Sequence, residues 1–330
     1  MRRISLKVLL LEVLTALCTC SYFFSSLVTS SPVIALEMPS SPKAMRVVQH
    51  SLSQVQVPVH PQRVVALHPF ILEDALVLGV KPIGGPRATF YQLNISAQQL
   101  QGIEDVGWFP PNFEKILRLK PDLILASSFD RDIYPLLAHI APTVLIEYRS
   151  SDTWKLTFEQ CAEVLNKSEQ AKQMMKHYYI RLAKFKTQMK ERLQKIQVSV
   201  LSVSSQDISL YGTNGFIGAI LKDAGLTRPP SQNLDTSTIL KKGGTRIRYS
   251  ISQELLSEAD GDVLFVVQAS DRSNINSQKA LQQLQAQPLW SKLKAVQYNK
   301  AHVVGVYWLG YSPVSAQYVI DDLFQFVASE

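Results

Sequence analysis

The chain has 330 residues, 46% hydrophobic, 18% charged and 9% aromatic, enough apolar material for one large core or two medium ones. That apolar fraction excludes disorder, 14 Gly exclude a collagen-like chain, and a mean hydropathy near zero with a single long apolar stretch excludes a multi-span membrane protein. Lys and Arg total 34 against 27 acids, a surplus of +7 that reads as mild, spread along the chain and pointing to no nucleic-acid partner.

Residues 1–35 read as an export signal. They open with Arg2, Arg3 and Lys7, continue through an apolar stretch from Val8 to Val28, and reach Val33-Ile34-Ala35 before a cleavage point near Ala35. Arg2-Arg3-Ile4-Ser5-Leu6-Lys7 is similar to a twin-arginine signal with Ser5 in place of the usual Phe, and Glu12 interrupts the apolar stretch. An uncleaved anchor helix is the alternative. Cys18 or Cys20 would be the place for a lipoprotein anchor, although Leu17 and Thr19 before them fit that processing poorly. Without 1–35 the chain keeps 31 bases, 26 acids and the single Cys161, so the mature protein is expected to be free of internal disulfides.

Residues 36–61, with Pro39, Pro42, Pro58 and Pro61 among many Ser and Gln, read as a leader segment. Val64 to Leu67 then reads as a buried strand and Phe70 to Leu78 as a helix stopped by Gly79. Val80 to Ile83 follows as a strand, Phe113 to Leu119 as a helix, Leu123 to Ala126 as a strand, Ile133 to Ile140 as a helix and Thr143 to Ile146 as a strand. Such alternation implies an α/β unit with a mainly parallel sheet. Ala171, Met175, Tyr178, Leu182, Phe185, Met189, Leu193 and Ile196 recur at steps of three and four behind Ser168 as N-cap. This predicts one helix from Glu169 to Ile196, about 42 Å long at 1.5 Å per residue. Beyond it Val198 to Val203, Val263 to Val267 and His302 to Val306 read as strands, and Phe216 to Ala224 and Val314 to Val327 as helices. The expected organisation is an N-terminal lobe at 62–160, a linking-helix region at 161–197 and a C-terminal lobe at 198–330.

The two halves echo each other. Asn112-Phe113-Glu114-Lys115-Ile116-Leu117 leads to Lys120-Pro121-Asp122-Leu123-Ile124-Leu125; at an offset of 140, Ser252-Gln253-Glu254-Leu255-Leu256-Ser257 leads to Asp260-Gly261-Asp262-Val263-Leu264-Phe265. Both read as cap, helix, turn, Asp and buried strand. With Arg63-Val64-Val65-Ala66-Leu67 and with Pro288-Leu289-Trp290 followed by Leu293, Ala295 and Val296, these segments make the chain over roughly 60–328 similar to the periplasmic substrate-binding proteins of ABC importers for ferric siderophores, haem and cobalamin. The resemblance implies two α/β lobes joined by one long backbone helix, ligand between the lobes, binding without catalysis or cofactor, a monomer, and delivery to an inner-membrane ABC permease. It also implies a role for Glu114 and Glu254 in docking to permease arginines; by themselves they are acids near a helix N-terminus, favourable to its dipole.

A ligand between such lobes meets loops at the C-terminal ends of strands. The candidates in the first lobe are Arg87, Tyr91, Trp108, Phe109, Phe129 and Arg131; in the second they are Tyr211, Phe216, Arg246, Arg248, Tyr249, Tyr307 and Trp308. Rings beside guanidinium groups suit a large, partly apolar, anionic molecule such as a ferric citrate- or hydroxamate-type siderophore, which holds its own iron. Haem with Tyr91 or His68 as axial ligand, a bare metal ion, and an exported α/β enzyme are the alternatives. The six His are scattered with no two at helical i, i+4 spacing. There is no G-x-x-x-x-G-K-[ST] and no G-x-S-x-G, and Gly212, Gly215 and Gly218 are spaced G-x-x-G-x-x-G.

Overall fold

The computed structural model describes residues 44–86, 95–148, 151–204, 207–268 and 275–329, so the expected signal at 1–35 lies outside the described residues. The chain enters through a hairpin, β1 (Met45–Gln49) and β2 (Gln54–Pro58), inside the segment read as a leader. Gln54-Val55-Gln56-Val57 alternates at the strand period, a signal that the surrounding Pro and Ser obscured.

The first sheet contains β3 (Val64–Ala66), β4 (Gly84–Gly85), β5 (Glu104–Asp105), β6 (Leu123–Ser127) and β7 (Thr143–Ile146) in the order β5-β4-β3-β6-β7, all parallel. β3, β6 and β7 are buried at every position, as strands covered by helices on both faces must be. The strand expected at 80–83 is reduced to Gly84–Gly85, where backbone elements approach closely: a Cβ on Gly84 would lie 2.6 Å from Leu119. The flanking helices are α1 (Pro69–Val77), α2 (Phe113–Leu119), α3 (Tyr134–Ile140) and α4 (Trp154–Val164), the last unforeseen in the sequence. Asn112 Oδ1 caps α2 by accepting the Lys115 N–H at 2.9 Å, and Lys120 ends it in the left-handed region.

The linking helix, α5, runs Ser168–Met189. Its 22 residues span about 33 Å, shorter than expected, because Lys190 turns the backbone at φ 49 and Lys190–Gln194 continues as a 3-10 turn. The expected apolar stripe is the observed one: Ala171, Met175, Tyr178, Leu182, Phe185 and Met189 are buried.

The second sheet contains β8 (Val198–Val203), β9 (Ile208–Tyr211), β10 (Arg248–Ile251), β11 (Val263–Gln268) and β12 (Ala301–Val304) in the order β10-β9-β8-β11-β12. β8, β11 and β12 are parallel, whereas β9 runs antiparallel to both β8 and β10. Counting strands within each lobe, both sheets read third, second, first, fourth, fifth, so the internal echo is a repeat of topology. The paired aspartates do one job in both lobes. Asp122 accepts the backbone N–H of Arg63 at 2.8 Å and Asp262 that of Gln197 at 2.8 Å, each tying the lead-in of the lobe's first strand. The helices of this lobe include α6 (Gly215–Ala224), α7 (Thr236–Lys241), α8 (Ile275–Gln285) and α9 (Pro313–Leu323), which Phe324–Ala328 extends as a π turn.

One hydrophobic core runs through both lobes, from Val64, Leu125 and Trp154 along the α5 stripe to Val200, Phe265, Trp308 and Val319. Separate clusters fill the other face of each sheet, around Val65, Ile124 and Leu137 in the first and around Leu201, Leu264 and Trp290 in the second. Lobes that share a core and a rigid helix resist hinging more than lobes joined by loops alone. A polar contact adds to this. Ser312 and Ser315, at the start of α9, donate their hydroxyls to Glu73 on α1, the second at 3.1 Å. Among the described residues, no helix is long and apolar enough to cross a membrane.

Candidate functional site

In a sheet of this order the ligand crevice lies beyond the strand C-termini where the chain reverses its direction of winding, here between β3 and β6. That edge is lined with rings. His68 follows β3 and precedes Pro69 at the start of α1; Phe70 comes next; Trp108 and Phe109 follow β5; Phe129 follows β6; Tyr148 follows β7. Phe70 stacks on Tyr148 at 4.6 Å between centroids, Phe129 lies 5.5 Å from Tyr148, and Phe109 and Phe129 lie 6.3 and 6.2 Å from His68. Tyr311 reaches the cluster from the second lobe, 6.2 Å from both Phe70 and Tyr148. Phe109 and Phe129 are 62% and 53% exposed. Apolar rings that open to solvent in a crevice offer contact area to a ligand rather than to the core.

Beneath the rings lies a buried polar relay. His68 Nε2 contacts Asp130 Oδ2 at 2.6 Å and Ser127 Oγ at 3.1 Å, and Trp108 Nε1–H donates to His68 Nδ1 at 3.4 Å. A donor at Nδ1 requires the proton on Nε2, which then points to Asp130. Asp130 also accepts the Ser127 N–H at 2.8 Å, which fixes the turn Ser128–Ile133 and with it Phe129. Both nitrogens of His68 are engaged and its side chain is buried, so the axial-ligand role that the haem alternative gives it would require breaking the Trp108 contact. Among the described residues, no group of three His, Cys, Asp or Glu is arranged to hold a metal ion.

On α1, Glu73 and Asp74 are both buried. Burial raises the Glu73 carboxyl above its ordinary range, against the lowering effect of the Ser312 and Ser315 hydroxyls. Burial, reinforced by the Glu73 charge, raises Asp74 further, and the Cys161 thiol beside it is itself pushed up by burial.

The sequence candidates divide by lobe. Trp108 and Phe109 belong to the ring cluster, and Arg131 is exposed on the Ser128–Ile133 turn beside Phe129; Arg87 and Tyr91 lie outside the described residues. The candidates of the second lobe are placed elsewhere. Tyr211 is buried with its hydroxyl 3.2 Å from Ser202 Oγ, and Phe216 packs on Trp154 at 5.5 Å. The Tyr249 hydroxyl donates toward Ser231 O and Glu258 Oε2, both at 2.8 Å. Trp308 is fully buried and donates to Asp322 at 2.7 Å, an acceptor it shares with Tyr307. Arg248 donates to Ser209 Oγ at 2.9 Å, and Arg246 is exposed on the loop before β10.

For Tyr211, Arg248 and Tyr249 the cause is strand direction. Because β9 is antiparallel to β8, its C-terminal end at Tyr211 and the paired start of β10 at Arg248 lie at the edge of the sheet away from the C-termini of β8 and β11. The sequence reading placed no strand at either segment and took both as loops at strand C-terminal ends. It also passed over Phe70, Tyr148, Asp130 and Tyr311, although Phe70 and Tyr148 each stand a few residues past a strand end.

Glu114 and Glu254 are both exposed, at the second residue of α2 and of the 3-10 helix Gln253–Ala259. A hydrogen bond with Ser252 lowers the Glu254 carboxyl. Among the described residues, neither glutamate forms an ion pair.

Residues 64–304 match the family described as periplasmic binding protein. The chain is 31% identical over 288 residues to the Bacillus subtilis protein named "Probable siderophore-binding lipoprotein YfiY", covering 84% of this chain and 86% of that one. It is 27% identical over 275 residues to the achromobactin-binding periplasmic protein of Dickeya dadantii, covering 80% and 85%. Among solved structures, Staphylococcus aureus SirA complexed with staphyloferrin B superposes with a TM-score of 0.69 at 26% identity, covering 86% of this chain and 98% of SirA.

Proposed function

The chain belongs to the periplasmic binding protein family, and from that premise we propose that it captures a ferric siderophore between its lobes and delivers it to an inner-membrane ABC permease. The observation that carries this reading is the ring wall at the β3/β6 crevice, in which the exposed Phe109 and Phe129 and the half-buried Trp108 and Tyr148 stand beside buried Phe70, faced by Tyr311 of the other lobe. The names of the three related proteins point the same way: a siderophore-binding lipoprotein, an achromobactin-binding protein and a receptor complexed with staphyloferrin B.

The described wall is neutral and aromatic, which supplies area and shape. Charge recognition of an anionic citrate- or hydroxamate-type chelate falls to Arg131 at the rim and to Arg87. The chelate brings its own iron ligands, in keeping with a His68 whose nitrogens are both engaged. Glu114 and Glu254 present one exposed carboxylate from each lobe for permease arginines. The protein works outside the cytoplasm as an exported monomer, tethered or free according to how residues 1–35 are processed.

Intrinsic tryptophan fluorescence titrated with ferric citrate, ferric hydroxamates, ferric catecholates, haemin and cyanocobalamin tests the reading. Saturable quenching by one ferric chelate and none by its iron-free form is the expected result. Saturation by haemin alone, or no response to any of the five, would overturn it.

A further inference from the structure

The chain's positive charge is not spread along it. Residues 167–195, which comprise α5 and the turn after it, hold nine Lys and Arg and two acids, out of 34 and 27 in the whole chain. The remaining residues carry 25 of each sign, so this one segment accounts for the entire surplus of +7.

Packing decides which side of the helix is free. At about 100° per residue, Lys172, Lys176, Lys184 and Lys186 fall within an arc of about 160° that the buried stripe does not enter. All four are exposed, and Tyr179 and Ile180, 50% and 56% exposed, stand in the same arc. The acids beside the helix are already engaged: Asp223 by Lys155 and the Tyr178 hydroxyl, Asp321 by Arg181. Among the described residues, none of the four lysines forms an ion pair. A helix face combining unpaired lysines with an exposed Tyr and Ile has the chemistry of an interfacial helix, whose cations meet phosphates while its apolar side chains enter the headgroup boundary.

The path of the chain points to the same surface. Arg46 on β1 donates to the carbonyls of Glu163 and Val164 at the end of α4, directly before α5 begins. The preceding chain, with its apolar stretch from Val8 to Val28, therefore joins the folded body at the root of the basic helix. The 15 residues from 29 to 43 span at most about 50 Å when extended, which bounds the distance from an N-terminus retained in the membrane to Ala44.

We propose that the exposed face of α5 rests on the anionic phospholipid headgroups of the membrane, holding the receptor flat on that surface between rounds of delivery. The proposal does not depend on which cargo the crevice takes. The test is co-sedimentation of the full chain with vesicles of phosphatidylcholine alone and with about 30% phosphatidylglycerol, where each lysine near the surface contributes about fivefold in affinity. Wild type is compared with the triple variant Lys172→Glu, Lys176→Glu, Lys184→Glu, with the corresponding Gln triple, and with a control triple, Lys81→Glu, Lys279→Glu, Lys292→Glu, of equal net charge. The apolar N-terminus is common to all four proteins, so differences among them report the helix.

The expected result is a loss of at least about 100-fold on phosphatidylglycerol vesicles for the helix Glu triple, a smaller loss for the Gln triple, and little change for the control. Binding by wild type weakens as salt rises. Equal losses in the helix and control triples would mean net charge rather than a located face and would overturn the proposal. So would unchanged binding by both helix triples, or a wild type that ignores vesicles but binds heparin through the same lysines.

Discussion

The two lobes repeat one strand order but use their crevice edges differently. In the first sheet every strand runs the same way, and the residues after β3, β5, β6 and β7 converge as one ring wall over the His68–Asp130 pair. In the second, β9 is reversed, and the aromatics near its end and at the start of β10 sink into the core with their polar atoms satisfied. Residue type near a strand end does not decide whether a ring serves a ligand or the fold. For Tyr211 and Tyr249 strand direction does, whereas Trp308, past the parallel strand β12, is held in the core by its bond to Asp322 of α9.

Charge reversal at both lobes gives the largest effect. Glu114→Lys with Glu254→Lys should leave ferric-chelate affinity intact and abolish uptake in cells; unchanged uptake would remove the docking role. Each single reversal measures its lobe's share, and equal shares would show that the capped α-helical turn and the 3-10 turn present their glutamates equally well.

Two tryptophans sharpen the contrast directly. Trp308→Ala empties a fully buried site and should cost about 3–5 kcal/mol in denaturant unfolding. Trp108→Ala should cost about 1 kcal/mol of stability, the scale of one hydrogen bond. It should weaken ferric-chelate binding about 30-fold, as for an aromatic anchor. A reversal of these two profiles would break the assignment of wall and core.

At His68 the conservative variants separate its two bonds. Asn places an acceptor where Nδ1 stands, whereas Gln places a donor where Nε2 stands. His68→Asn should therefore hold the Trp108 indole N–H, seen as retained exchange protection in NMR, and keep affinity within about threefold, whereas His68→Gln should lose the protection and about tenfold in affinity. The same behaviour in both variants would show that Trp108 does not depend on this bond.

The smallest effect concerns the acid between the lobes. A carboxyl raised in the folded state stabilises fully below its ordinary value near 4.5, and that stability is lost as pH rises toward the raised value. Asp74 on the same helix is the ionisable neighbour of Glu73, and the Cys161 thiol stands beside Asp74. Glu73→Gln, which cannot ionise, should match wild type in melting temperature near pH 4 and gain on it as pH rises, until the raised carboxyl has ionised in the folded state. Parallel curves would mean that Glu73 does not sense pH through the fold.

Much of the architecture was legible because buried parallel strands and a long amphipathic helix have strong periodic signatures. Val198 to Val203 and Thr143 to Ile146 fall at the strand bounds observed, and the six-residue core stripe of α5 was visible in its spacing. The helix end was not, because Leu193 and Ile196 continue the period past the left-handed turn at Lys190. β9 and β10 were missed because Ile208-Ser209-Leu210-Tyr211 and Arg248-Tyr249-Ser250-Ile251 are broken by polar residues, whereas Thr143 to Ile146 ends in an unbroken apolar run. The site was half legible for a related reason: Trp108 and Tyr211 were both picked as loop aromatics, and neither β5 nor β9, the short strands that place them on opposite terms, was read. Charge was misread because totals hide position; the lysines of 167–195 vanish into a whole-chain surplus of +7.

The most direct measurement is fluorescence titration of the Trp108→Phe and Trp308→Phe variants with the ferric chelate that quenches wild type. Ligand bound against the ring wall of the first lobe should have its quenching lost in Trp108→Phe and retained in Trp308→Phe. Quenching that persists without Trp108 and disappears without Trp308 would place the ligand at the second lobe's buried edge and contradict the assigned crevice.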